Sequence, residues 1–286
     1  MTDTPARSAP RRYPGTPWGA YPPGRTTRLL IALTRRVPTL PLIRQLVFPL
    51  RRLARWRHPG PLDHHLWGHR LRFRPSGNIA EGRLLFLPDR WDLPERTALA
   101  ERLRPGATFV DVGANFGGYT WWVLSRLGTG VEILALEPDP EMHEGLRFNL
   151  EVNGIRNVTA LPLAAGTEVG VGELRIDPGN RGENSLLGGA SSDGGGSTRA
   201  VAVRPLAQIV REWGVDRIDA MKIDIEGMEP PVLDLYFDEA PRRIWPRLLI
   251  VERGESTAHA ALTDRLRRLG YRTLLVTRMN LVVELR

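Results

Sequence analysis

Four short stretches of this 286-residue chain carry side chains that could do chemistry. In FVDVGANFGGYTWW, Phe109 to Trp122, Asp111 stands near the end of an apolar run, and Gly113, Asn115 and Gly117 follow in a turn. In ALEPDP, Glu137 lies twenty residues beyond Gly117. KIDIEGME sets Lys222 and Asp224 two positions apart, with Glu226 next, and Glu252 ends the run RLLIVE. A glycine-rich turn between strand and helix lets a ligand approach backbone where a Cβ would obstruct it. An acidic residue at the spacing of Glu137 can accept both hydrogen bonds of a ribose diol, or it can cap the helix that Pro138 leads.

The sign of Asp111 bears on which nucleoside would bind. A dinucleotide fingerprint needs G-x-G-x-x-G, and Asn115 occupies the place of its second glycine. A carboxylate at the strand end would also repel a pyrophosphate in the same crevice. It suits an ammonium or sulfonium instead, and S-adenosylmethionine carries both, has no phosphate and contains the diol. Asp111 and Glu137 are therefore expected at the cofactor, beside the turn that holds Gly113, Asn115 and Gly117, and methyl transfer would leave S-adenosylhomocysteine. Asp111 could alternatively serve only to fix its loop.

The third and fourth stretches suit the acceptor. A strand places Lys222 and Asp224 on one face, with Glu226 in the turn beyond. Lys222 is the only lysine among 40 basic residues. Asp224 could take the proton of an acceptor hydroxyl, with Lys222 tuning the carboxylates and Glu226 orienting turn or substrate. A purely structural ion-pair network is the alternative. Glu252 could enter from a neighbouring strand as a substrate contact. Asp224, Glu226 and Glu252 together could suit a divalent cation, but carboxylate count without geometry is weak, and no metal is expected. His65, within HHLWGH (His64 to His69), and Trp91 are further expected acceptor contacts, weighed against a surface histidine and ordinary packing.

These groups need a scaffold. ATFVDVG, VEILALEP, VTALPLA, RIDAMKIDIEG and RLLIVERGE read as strands; GYTWWVLSRLG, PEMHEGLRFNLEVNG, PLAQIVREWG and ALTDRLRRLG read as helices between them. This alternation predicts an α/β fold with a mostly parallel sheet covered on both faces. YRTLLVT and NLVVELR are too close for a crossover and must form an antiparallel hairpin. Upstream, PERTALAERLR reads as a helix, while LWGHRLRFRP and GRLLFL read as short strands. Arg181 to Arg199, rich in glycine, reads as a surface loop or, near the ligand end of the sheet, a substrate lid.

The chain resembles the FkbM family of S-adenosylmethionine-dependent methyltransferases. The resemblance covers about residues 69–286 and rests on FVDVGANFGGYT, ALEPDP, the following helix with Asn149 and Asn153, and RIDAMKIDIEGMEPPVL at 217–233. NIAEGRLLFLP, residues 78–88, is similar to the segment that precedes the cofactor domain in this family. It implies a Rossmann-like seven-stranded methyltransferase sheet with an antiparallel C-terminal strand, and methyl transfer commonly to a hydroxyl of a sugar-containing or other natural-product intermediate. It further implies that Asp111, Gly113, Asn115 and Gly117 surround the cofactor's amino-acid portion and Glu137 its ribose. Leu206-Ala207 departs from the family's usual Leu-Asp. An N-methyltransferase would look the same at the cofactor, and an NAD-linked oxidoreductase is the more distant rival.

Residues 1–68 differ from the rest. Fifteen arginines face only Asp3 and Asp63 before residue 75, in a chain of net charge +8. Residues 1–27 are expected to lack regular structure unless docked. Residues 28–57 read as amphipathic helices interrupted at Pro38, Pro41 and Pro49. This basic extension could contact an anionic membrane, another copy of the chain in a homo-oligomer, or simply the main domain; a nucleic-acid partner is disfavoured by the lack of a base-reading motif. With no cysteine, disulfides and thiolate chemistry are excluded. No apolar run approaches a membrane span and the N-terminus is unlike a signal peptide, so a cytoplasmic protein acting on a small-molecule acceptor is expected.

Overall fold

The computed structural model describes residues 16–36, 47–177, 185–186 and 197–286. Residues 1–15, Pro38, Pro41 and most of the Arg181–Arg199 stretch, with its expected loop or lid, lie outside the described residues.

The front of the chain forms helices α1 (Arg25–Arg36) and α2 (Val47–Arg57), then strands β1 (Leu62–Leu66) and β2 (His69–Phe73) in an antiparallel hairpin. The helix α2 runs through Pro49, contrary to expectation, because a proline in a first turn forfeits an N–H that has no intrahelical partner anyway. The expected boundary after residue 68 falls in the turn of the hairpin. The segment before α1 is docked: Asp63 accepts from the backbone of Gly19 at 2.7 Å and Tyr21 at 3.1 Å. The fully buried Arg72 grips Asp63 at 2.7 and 3.0 Å and donates to the carbonyls of Thr16 and Pro17.

GRLLFL is not a strand but most of helix α3 (Ile79–Phe86). Asn78 caps it by accepting from the Glu81 backbone N–H, a start signal that outweighs the β-like apolar run. Helix α4 (Leu93–Arg102) follows as expected.

The remaining chain alternates as anticipated. Strand β3 (Ala107–Val112) leads to α5 (Gly118–Leu127), β4 (Val131–Leu136) to α6 (Pro140–Val152), and then comes β5 (Val158–Leu161). VTALPLA breaks at Pro162, and its second half becomes β6 (Leu163–Gly166) of a different sheet. That second sheet also holds β7 (Gly170–Ile176), β8 (Ser185–Leu186) and β9 (Ser197–Pro205), in the order β6-β9-β7-β8. The chain then runs α7 (Leu206–Trp213), β10 (Ile218–Ile223), α8 (Glu229–Glu239), β11 (Pro246–Glu252), α9 (Thr257–Arg268), β12 (Tyr271–Val276) and β13 (Asn280–Leu285). Helix α8, absent from the sequence expectations, opens with Pro230 and Pro231, which suit a helix's first positions.

The main sheet has seven strands in the order β12-β13-β11-β10-β3-β4-β5. It is parallel except for β13, which inserts antiparallel between β12 and β11. Residues alternate between two cores. Phe109, Ile133, Ala220 and Ile250 face one, with α4 and α5; Val110, Leu134, Met221 and Val251 face the other, with α7 and α8. Burying each of these side chains larger than Ala220 contributes about 1.5–3 kcal/mol, which pins strand register, because a one-residue slip would swap the two faces. The hairpin is tied to α6 by two asparagines: Asn149 accepts from Arg72 N–H at 2.8 Å and Asn153 from Arg70 N–H at 2.9 Å.

Candidate active site

Register and parity bring the chemical residues together. Asp111 pairs with Lys222 on one side and Ala135 on the other, and Lys222 with Ile250. Stepping by two from these positions reaches Glu137, Asp224 and Glu252, so all five side chains leave one face at the carboxyl ends of adjacent parallel strands. There a cavity of about 340 Å³ opens, the usual ligand position in such sheets.

At its nucleoside end the turn after β3 needs its glycine. Gly113 has φ +72°, and a Cβ there would stand 1.9 Å from the Asp224 carbonyl oxygen. Asn115 is itself left-handed at φ 54°, and its side chain bonds the Phe116 N–H at 2.8 Å and the Asn78 amide at 2.6 Å. Glu137 accepts from the backbone of Asn115 at 2.6 Å and Asp139 at 2.7 Å. Burial pushes its carboxyl up to about 8, against these two backbone bonds. Each oxygen retains a second lone pair, so a diol can still donate to it.

Asp111 lies beneath the turn, fully buried. One oxygen accepts from the Thr120 hydroxyl at 2.7 Å and the Thr120 N–H at 3.1 Å. Its other oxygen has no partner among the described residues, a rare condition for a buried carboxylate. Burial raises its pKa, opposed by Lys222 and the Thr120 bonds.

At the acceptor end, Lys222 Nζ lies 3.1 Å from Asp224 and donates to the Gly113 carbonyl at 3.2 Å. Burial works against its charge, but Asp224 and Asp111 outweigh it and hold the ammonium above its usual range. Glu252 is pushed up to about 9, first by burial and then by Asp224, Glu226 and Glu229, and it hydrogen-bonds Asp224. At neutral pH Glu252 therefore keeps its proton, with the half-buried Asp224 carboxyl as its hydrogen-bond partner. Oxygens of Asp224, Glu229 and Glu252 lie within 4.8 Å of one another. The third member is thus Glu229 rather than Glu226, and its oxygens already serve the Ile225 and Gly227 N–H groups. Glu226 lines the cavity from a left-handed turn position, φ 56°.

Trp91 walls the cavity with Tyr119, ring centroids 4.7 Å apart. The Tyr119 hydroxyl donates to Asp92 at 2.9 Å, and its ring faces the Lys222 ammonium at 5.6 Å.

Residues 111–273 match the sequence model of the methyltransferase FkbM domain. The chain belongs to the FkbM methyltransferase family. The methyltransferase sdnD of Sordaria araneosa is 29% identical over 151 residues, 43% of this chain and 58% of that protein. The AMB antimetabolite synthetase AmbE of Pseudomonas aeruginosa is 30% identical over 206 residues, 59% of this chain but 10% of that protein. The chain thus spans little more than half of one curated relative and a small part of the other. Among solved structures, M. jannaschii TYW2 in complex with AdoMet has TM-score 0.39 and 13% identity over 78% of this chain and 84% of that one. Precorrin-6y C5,15-methyltransferase from Geobacter metallireducens has TM-score 0.41 and 12% identity over 66% and 84%.

Of the residues expected from sequence, this FkbM chain gathers Gly113, Asn115, Glu137, Lys222, Asp224, Glu226, Glu252 and Trp91 on one cavity. Asp111 and Gly117 support it from below; at Gly117 (φ +93°) a Cβ would meet Leu146 at 2.7 Å. His65 is a correction: it points outward from β1 and stacks edge-on against Trp18, 5.0 Å between ring centroids, away from the cavity. Strand parity explains this, since Leu62, His64 and Leu66 share the opposite face. Asn78, Tyr119 and Asp92 were missed. Only Asn78 left a signal, as the cap three residues before Glu81 in NIAE.

Proposed function

We propose that this FkbM-family chain binds S-adenosylmethionine and methylates a hydroxyl of a small molecule, a sugar-containing or other natural-product intermediate. One observation carries the reading: a nucleoside cradle, Asn115 and Glu137, and a cation-backed base, Lys222 and Asp224, line the same cavity. The residues fit the cofactor by their chemistry, with a diol acceptor in Glu137 and, beneath the turn, an Asp111 oxygen that has no hydrogen-bond partner among the described residues. Likeness to an antimetabolite synthetase is in keeping with a natural-product acceptor.

When bound, S-adenosylmethionine supplies a methyl group on a positively charged sulfur. The chain's own part is to orient and to move a proton. Asp224 accepts the proton that the acceptor hydroxyl loses as its oxygen gains the methyl, and Lys222 holds Asp224 in place. Protonated Glu252 holds Asp224 from the other side through their hydrogen bond. Trp91 and Tyr119 shield that end from water.

A second reading, N-methylation, draws on the carboxylate-rich acceptor wall of Asp224, Glu226 and Glu252, which would also attract an amine. A screen of hydroxyl and amine acceptors with S-adenosylmethionine, followed by mass spectrometric location of the new methyl, decides between them. Methyl on oxygen supports the proposal, methyl on nitrogen replaces it with the second reading, and saturable binding of NAD but not S-adenosylhomocysteine overturns both.

A further inference from the structure

Front helix α1 packs on α2 and on α3, and α2 reaches α3 through Arg51. Their inward faces are anchored to that helix: Arg35 donates to the Leu85 carbonyl at 3.1 Å, and the Arg51 guanidinium lies 5.8 Å from the centre of the Phe86 ring. Their outward faces are unusual for a solvated surface. On α2, Phe48 (65% exposed), Arg52 and Trp56 (71% exposed) recur at helical spacing, with Leu53 and Arg57 alongside. On α1, Leu29 and Leu33 are exposed one turn apart, flanked by Arg25, Arg28 and Arg36.

The charge there is one-sided. Between Asp3 and Asp63 the chain has twelve arginines and no acidic residue. The sequence around these guanidinium groups supplies no carboxylate, so the front segment presents a cationic face. Arg51 shows the crowding: burial first, and then Arg55 and Arg83, lower its pKa.

We infer that the outward face of α1 and α2 docks on an anionic lipid surface. Exposed tryptophan, phenylalanine and leucine interleaved with arginine is the composition of helices that lie in the headgroup region, where rings enter the acyl boundary and guanidinium groups meet phosphates. A nucleic acid would engage the arginines and stack bases on exposed rings, but has no use for the aliphatic Leu29, Leu33 and Leu53 between them. The same pair backs α3, whose Ile79, Ala80, Arg83 and Leu84 line the cavity, so a docked chain would hold its pocket one helix away from the bilayer-bound face.

The test is flotation of the full chain with vesicles of phosphatidylcholine alone or mixed with phosphatidylserine. Expected is association with the mixed vesicles only, weakened when NaCl is raised from ~0.1 to ~0.5 M. A Phe48→Ser/Trp56→Ser double variant keeps all charges and exchanges only exposed rings, so it should fold, as circular dichroism would check, yet associate at least about tenfold more weakly. No association with mixed vesicles overturns the inference. So does undiminished association by the folded double variant, or tight binding of a mixed-sequence RNA that excludes vesicles and ignores the two substitutions. Light scattering that finds a dimer abolished by those substitutions, with no vesicle binding, assigns the face to a second copy instead.

Discussion

Asp111 and Lys222 are register partners on adjacent parallel strands, and their side chains leave the same face of the sheet into a buried space. The lone lysine of the chain thus stands between two carboxylates, Asp111 below and Asp224 at 3.1 Å above. Cutting this link strands a buried negative charge. Lys222→Met should lower unfolding free energy by about 3 kcal/mol, read by urea denaturation, and Asp111→Asn in the same chain should restore part of it. Additive losses in the two variants would dissolve the link.

Gly113→Ala tests the turn. The new Cβ would collide with the Asp224 carbonyl at a backbone angle that only glycine adopts easily. The turn must shift, so S-adenosylhomocysteine affinity should fall at least about tenfold and stability by about 1–3 kcal/mol. Affinity equal to wild type would show that the turn is not part of the cradle.

Much of this site was legible because it obeys period two. Lys222 and Asp224 fall on one strand face by sequence alone, and Glu137 and Glu252 end apolar runs that read as buried strands. What escaped depends on contacts between distant segments. Asn78 meets Asn115, and Asp92 meets Tyr119, across gaps that no local pattern spans. GRLLFL misled because its apolar run is shared by short buried helices and strands, and the deciding cap lies outside it. His65 misled because three histidines in six residues suggest a site, whereas strand alternation sends this one outward.

Glu137 makes cofactor binding depend on pH. A ribose diol donates hydrogen bonds, so it binds the ionised carboxylate better, and in the free chain that carboxyl titrates at about 8. Binding should therefore release a proton near pH 7, and affinity should rise as pH climbs from about 6.5 to 9. Calorimetry of S-adenosylhomocysteine in buffers of different ionisation enthalpy would detect the proton, and Glu137→Gln should flatten the profile. A profile unchanged by that substitution would remove Glu137 from the cradle.

Asp224→Asn separates chemistry from binding. With an acceptor found by the screen, turnover should fall about a hundredfold while S-adenosylhomocysteine affinity changes little. Wild-type turnover would defeat the role of Asp224 as base.

The account stands on one crevice receiving both cofactor and acceptor, and an electron-density map of the chain crystallised with S-adenosylhomocysteine tests that most directly. Ribose hydroxyls on Glu137 with the sulfur turned toward Lys222 and Asp224 are the predicted result. Ligand bound elsewhere, or lying with its sulfur away from that pair, would contradict it.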